Sequence, residues 1–181
     1  MEKRFETGMK TESKIIVITG AESTGKSALC EWLANHFQVP FVPEFARIYV
    51  EKLNRHYNYN DLEIIARKQI QQLSELKKEK LPLVFADTWL IITQIWFEEV
   101  FDRVPDWLES AIRKNPIDLF LVCDTDLPWE PDPVRENGGE KRLYLQNRYI
   151  ETIKKYGFRY KIVRGKNEER FQDALQHLES L

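Results

Sequence analysis

A chain of 181 residues is long enough for one α/β domain with a buried core and too short for two. With 43% hydrophobic and 31% charged residues it reads as an ordinary globular sequence, which excludes a disordered or fibrous one. A formal net charge of −2 carries no basic excess for a nucleic-acid partner, and the most apolar run, Leu90 to Trp96, is broken by Thr93 and Gln94, so no membrane span is expected.

The first 13 residues are polar and charged, neither a secretion signal nor an anchor, and read as a flexible arm before a domain over 14–181. Lys14 to Thr19 is a β-branched apolar run stopped by Gly20, which predicts a fully buried strand. Leu29, Trp32, Leu33 and Phe37 then recur at helical spacing. Pro40 to Pro43 fits a short second strand, with Glu44 just past its end. Leu62, Ile65, Ala66, Gln69, Ile70, Leu73 and Leu76 share one face of a long helix, for which Asp61 is the expected N-cap. Leu83 to Ala86 is the third strand, ending on Asp87. Helices are expected over Leu90 to Phe101 and Trp107 to Ile112, and a fourth strand over Asp118 to Cys123, followed by Asp124. Pro128 to Glu140, with three prolines and two glycines, is a loop. A helix from Lys141 to Tyr156, a strand Tyr160 to Val163 and a helix Glu168 to Leu178 close the chain. Cys30 and Cys123 fall in apolar segments and read as buried reduced thiols of a cytoplasmic protein.

Apolar strands alternating with amphipathic helices predict an α/β fold: a parallel sheet of about five strands covered by helices on both faces. Ligands of such sheets bind outside the carboxyl ends of the strands, where Gly20, Glu44, Asp87 and Asp124 all fall. The run Gly20-Ala21-Glu22-Ser23-Thr24-Gly25-Lys26-Ser27 matches the P-loop pattern G-x-x-x-x-G-K-[ST] between a strand and a helix. Its glycines let the loop curl so that backbone N–H groups point at phosphate oxygens, and the helix N-terminus adds its positive end. ATP is therefore the expected nucleotide, cradled by Gly20, Glu22, Ser23, Thr24, Gly25, Lys26 and Ser27. Lys26, expected to face solvent until ATP arrives, would reach the β- and γ-phosphates, and Ser27 with Asp87 would hold Mg²⁺.

Glu44 could take the proton of an attacking hydroxyl, with Arg47 orienting it or touching substrate; an exposed Glu–Arg pair at a helix start is the alternative. The loop at about 128–142 carries Arg135, with Lys141 and Arg142 behind it. It suits a lid that closes over ATP, excludes water and neutralises the transferred phosphoryl group. Trp89 and Trp129 flank the same rim and could stack on a flat ring as substrate-binding groups, although core packing is the first account of each taken singly.

The P-loop run, Pro43-Glu44-Phe45-Ala46-Arg47, Asp87-Thr88 with Thr93-Gln94, and Trp129-x-x-Asp132-x-x-Arg135 together resemble the ribosylnicotinamide kinase domain of the NadR family. The resemblance runs from about Lys14 to Leu178. It implies a nucleoside-kinase-like fold, ATP with Mg²⁺, and phosphorylation of the ribose 5′-hydroxyl of nicotinamide riboside. It also places Asp132 among the substrate-binding groups. Asp87-Thr88-Trp89 stands where the family often has Asp-Thr-Asp, and Asp132-Pro133 where it often has Asp-Gly. No adenylyltransferase segment is recognised in these 181 residues, so the product is not expected to be adenylylated further. A kinase for another nucleoside or vitamin-like alcohol, and a nucleotide-operated switch, are the alternative readings.

Overall fold

The computed structural model describes residues 13–179 and 181; the expected arm, apart from Ser13, lies outside the described residues. Five strands form one sheet: β1 (Lys14–Thr19), β2 (Phe41–Val42), β3 (Leu83–Asp87), β4 (Leu119–Cys123) and β5 (Tyr160–Val163), in the order β2-β3-β1-β4-β5. Every pairing is parallel, with Ile16 opposite Phe85 on one side and Leu119 on the other. Seven helices join them: α1 (Lys26–Phe37), α2 (Phe45–Glu51), α3 (Tyr59–Lys78), α4 (Leu90–Phe101), α5 (Asp106–Lys114), α6 (Gly139–Lys155) and α7 (Glu168–Glu179). Among the described residues no helix is long and apolar enough to cross a membrane.

The two-residue period of β1 builds the core on both faces. Ile16 and Ile18 pack with Leu29, Leu33, Phe85 and Ala174 under α1 and α7. Ile15 and Val17 pack with Leu62, Ala66, Ile95 and Phe120 under the helices of the other face. Burying each aliphatic side chain stabilises by about 1.5–3 kcal/mol relative to exposure, so this near-continuous apolar strand is the natural centre of the sheet. Later strands lie to both sides of β1, which puts the loop leaving it in the crevice outside the carboxyl edge.

Several boundaries moved for local reasons. α3 begins a turn earlier than expected: Asn58 is its N-cap, accepting from the Asn60 and Asp61 N–H groups. Asp61 instead closes the capping box from the third helical position. The strand expected over Pro40 to Pro43 keeps ladder pairing only at Phe41 and Val42, because proline has no N–H to offer. Helix α2, expected only as a helix start at Glu44, buries none of its residues, so it carries no apolar stripe to read.

Candidate active site

The phosphate loop leaves β1 at Gly20, whose φ of +139° and neighbours both demand glycine: a Cβ there would lie 2.7 Å from the Cys123 carbonyl oxygen. Gly25, in the left-handed region at φ 75°, caps α1. The curl is braced from within and from outside. Thr24 Oγ1 donates to the Ala21 carbonyl at 2.9 Å, and Gln146 of α6 accepts from Ala21 N–H at 2.8 Å while donating to the Cys123 carbonyl at 2.8 Å. Lys26 is half-buried, not turned to solvent as expected; its ammonium folds back on the Ala21 carbonyl at 3.0 Å. A phosphate therefore has to displace a backbone partner, not merely attract a free cation.

Asp87 ends β3 beside this loop and is 3% exposed. Burial, then the nearby Glu44 carboxylate, push it up to about 6, against the pull of the Ser27 hydroxyl and Lys26. Its Oδ1 is buried without a hydrogen-bond partner. An orphaned carboxylate oxygen next to a serine hydroxyl is the donor set a hard cation wants. Among the described residues no three His, Cys, Asp or Glu side chains gather to cage an ion unaided. A P-loop Mg²⁺ needs no such cage, since phosphate oxygens and water complete its shell. The residues present fit the ion.

Glu44 occupies the N-cap position of α2, yet its carboxylate caps nothing. It borders a cavity of about 760 Å³ that also takes in the phosphate loop, Arg47 and Arg135. Arg47 is not its partner; that cation joins Glu51 at 2.9 Å and Asp132 at 2.7 Å. The alternative of a Glu44–Arg47 surface pair is not what forms.

The lid residues do more among themselves than the sequence suggested. Glu22, expected to serve the nucleotide, accepts from Asn137 N–H at 2.9 Å, Asn137 Nδ2 at 2.9 Å, Glu136 N–H at 3.2 Å and Trp129 Nε1 at 3.4 Å, which ties the phosphate loop to the lid. Arg142, also expected at ATP, is buried and gives its three nitrogens to the carbonyls of Glu22, Ser23 and Leu127 at 2.9, 3.0 and 2.9 Å. It shapes the loop from behind. Asp132 accepts from Val134 N–H and pairs with Arg47 and Arg135, so it positions two cations and does not itself border the cavity. Arg135 does border it, with one nitrogen on the Glu130 carbonyl at 2.6 Å.

Neither of the two tryptophans that could have stacked on a ring borders the cavity. Trp89 is 1% exposed within the core, where a bulky indole precedes the buried first turn of α4. Trp129 lies over Gly138, where an added Cβ would stand 3.3 Å from its ring. The aromatic wall of the cavity comes instead from Tyr57, Trp96 and Tyr149, with Glu99 and Lys141 beside them. Trp96 lies on an apolar helix, where bulk alone does not tell a core ring from a cavity ring, and Tyr57 sits in the irregular 52–58 segment, which has no motif. The only signal was aromatic content next to the Thr93-Gln94 pair.

A phosphate loop between the central strand and its helix, with a buried aspartate ending the adjacent parallel strand, defines a P-loop nucleoside triphosphatase fold. The chain belongs to the family described as an AAA domain (AAA_28), which matches residues 15–170. The trifunctional NAD biosynthesis/regulator protein NadR of Salmonella typhimurium is 28% identical over 146 residues, 78% of this chain and 36% of that protein. The chain thus spans about a third of the length of that relative. A crystal structure of a NadR protein in complex with NR superposes with a TM-score of 0.81 at 23% identity, covering 94% of this chain and 52% of that one. A NadR protein in complex with NAD and AMP-PNP gives 0.77 at 23% identity, covering 94% and 50%. Thymidylate kinase from Ehrlichia chaffeensis gives 0.63 at 16% identity, covering 94% and 99%. At such identities the superpositions establish the fold.

Proposed function

We propose that the chain is an ATP-dependent kinase that phosphorylates the ribose 5′-hydroxyl of a nucleoside, with nicotinamide riboside as the acceptor. The observation that carries the reading is a pair of neighbouring carboxylates at the phosphate loop, Glu44 on the cavity wall and Asp87 buried behind it. Asp87 has an orphaned oxygen beside the phosphate loop, and Glu44 stands free of any cap or ion pair among the described residues. One suits a metal and the other a proton. The NadR likeness supports the ring, and the AMP-PNP complex of a NadR protein supports ATP.

The cavity's charges favour a nucleoside over a nucleoside monophosphate. Arg47 is held by Glu51 and Asp132, Arg55 by Asp61, Lys141 by Glu99, and Arg135 by Asp132. Each of these cations is already paired with a carboxylate, so a second phosphate would have to compete for its partner. A neutral sugar on a neutral or cationic flat ring suits that wall, with Tyr57, Trp96 and Tyr149 as apolar faces.

Ser27 and Asp87 would hold Mg²⁺, which supplies charge neutralisation on the β- and γ-phosphates. The backbone of Gly20 to Ser27 binds the phosphates, and Lys26 exchanges the Ala21 carbonyl for phosphate oxygen. Glu44 orients the acceptor hydroxyl and takes its proton as that oxygen bonds to the γ-phosphorus and the bond to the bridging oxygen of ADP breaks. Arg135 places positive charge on the cavity wall where charge spreads in the transition state. The lid, latched by Glu22, keeps water from competing with the acceptor. Buried, reduced Cys30 and Cys123 suit a cytoplasmic setting.

The test is ADP release with Mg²⁺-ATP in the presence of nicotinamide riboside, uridine, cytidine, adenosine or thymidine monophosphate. Nicotinamide riboside should give the highest kcat/KM and thymidine monophosphate no rate above ATP alone. A preference for the monophosphate would overturn the charge argument, and a preference for another nucleoside would overturn the named acceptor.

A further inference from the structure

One lid residue touches both halves of the cavity. The Glu136 backbone N–H donates to Glu22 Oε1 at 3.2 Å, which latches its main chain to the phosphate loop. Its side chain reaches the 52–58 segment: Tyr57 Oη donates to Glu136 Oε2 at 3.3 Å, and His56 Nε2 lies 3.8 Å from Glu136 Oε1. The Tyr57 ring meets Trp96 of α4 edge-on, with centroids 4.7 Å apart, and both rings line the cavity. Tyr57 is itself anchored from below, because Asp61 collects Arg55, Tyr49 and the Asn58 N–H and so fixes the segment that carries it.

As a static link Glu136 is worth little. Its side chain is 55% exposed, and an exposed contact of this kind adds little to folding. Its position gives it a different use. A ring seated against Trp96 and Tyr57 would restrict the Tyr57 ring, hence the hydroxyl that holds Glu136, hence the main chain that Glu22 holds over the phosphates.

We propose that Glu136 is a positioning residue that couples occupancy of the aromatic chamber to closure of the lid over the phosphate loop, an inference that rests on the kinase reading above. Bound acceptor then tightens nucleotide binding, and bound nucleotide tightens acceptor binding by the same factor, because such coupling is reciprocal. ATP alone meets a lid whose Tyr57 contact no acceptor ring restrains, which limits hydrolysis without an acceptor.

The experiment measures the dissociation constant of AMP-PNP with Mg²⁺ on the full chain, with and without saturating nicotinamide riboside. In wild type the riboside should tighten it about fivefold or more. In Glu136→Ala, which keeps the backbone half of the latch, and in Tyr57→Phe, which removes only the hydroxyl, the ratio should collapse to about one. Glu136→Gln, which still offers Tyr57 an acceptor oxygen, should restore most of it. A loss of packing alone would not follow that order. A wild-type ratio retained in Glu136→Ala, or a ratio of one in a wild type that turns the riboside over, overturns this inference alone. A wild type that neither binds nor phosphorylates the riboside overturns the kinase reading and this inference with it.

Discussion

Asp87 and Glu44 crowd two carboxylates around one phosphate site, and their environments separate their roles. Asp87 is the buried member, held above the ordinary aspartate value by burial first and Glu44 second. A raised carboxyl costs the folded protein stability: none below the unfolded value of about 3.9, a growing amount as pH rises, and the full amount above about 6. Asp87→Asn should therefore stabilise the ligand-free protein at pH 7 by on the order of 1–3 kcal/mol, with the gain fading between pH 6 and 4 in denaturant titrations. The same variant should need far more Mg²⁺ for half-maximal rate. In wild type that requirement should rise as pH falls below about 6, where Asp87 takes up its proton. Glu44→Gln should instead lower kcat with little change in the Mg²⁺ requirement. A shared metal defect in both variants would place both acids in the metal shell.

The curl at Gly20 and the place of Asp87 at a strand end were legible because each is dictated locally, by a loop that must curl and a strand that must end. Glu22, Arg142 and Asp132 looked like ligand contacts because charge near a phosphate loop attracts that reading. Their partners lie up to 120 residues away in sequence, as with Arg142 and Glu22, and no local pattern encodes such pairings. Trp89 takes the core place that was its first account, and not the ring-stacking one, because proximity to Asp87 in sequence says nothing about which face of the chain an indole takes.

At the scale of elements, the join between α2 and α3 is fixed by one carboxylate. Asp61 accepts from Arg55 at 2.6 and 2.9 Å, Tyr49 at 3.0 Å and Asn58 N–H at 2.7 Å, and the Arg55 guanidinium holds its carboxyl well below the usual range. A depressed carboxyl stabilises above the unfolded value and loses that stabilisation as pH falls below it. Asp61→Ala should cost about 2–3 kcal/mol at pH 7, the sum expected of a lost cap and a charged hydrogen bond. The penalty should shrink below pH 4. It should also raise KM for the acceptor by loosening Tyr57. A variant as stable as wild type would mean the network is not holding the join. The lid offers a second check at this scale. Arg135→Ala should lower kcat by about 100-fold while changing acceptor binding little, since its charge matters most in the transition state. Unchanged kcat would remove Arg135 from the chemistry. Helix α2 marks where sequence reading stopped: a seven-residue helix with no buried side chain leaves no periodicity, although it carries Arg47 and is entered at Glu44.

At the scale of the molecule, the order β2-β3-β1-β4-β5 brings the ends of β1, β2 and β3 to one rim and lays the lid across it. The alternation of strands and helices announced that architecture from the sequence. Which rings would line the far end of the cavity depended on how α4, α6 and the 52–58 segment meet, and the chain alone did not fix that. The central claim is phosphoryl transfer from ATP to a nucleoside, and its most direct measurement is product analysis by mass after incubation with Mg²⁺-ATP and nicotinamide riboside. Wild type should yield the mononucleotide and ADP in equal amounts, and Lys26→Ala, still folded, should be slower by about 10³-fold or more. Mononucleotide formation undiminished in Lys26→Ala, or ADP formed by wild type with no phosphorylated nucleoside, would contradict it.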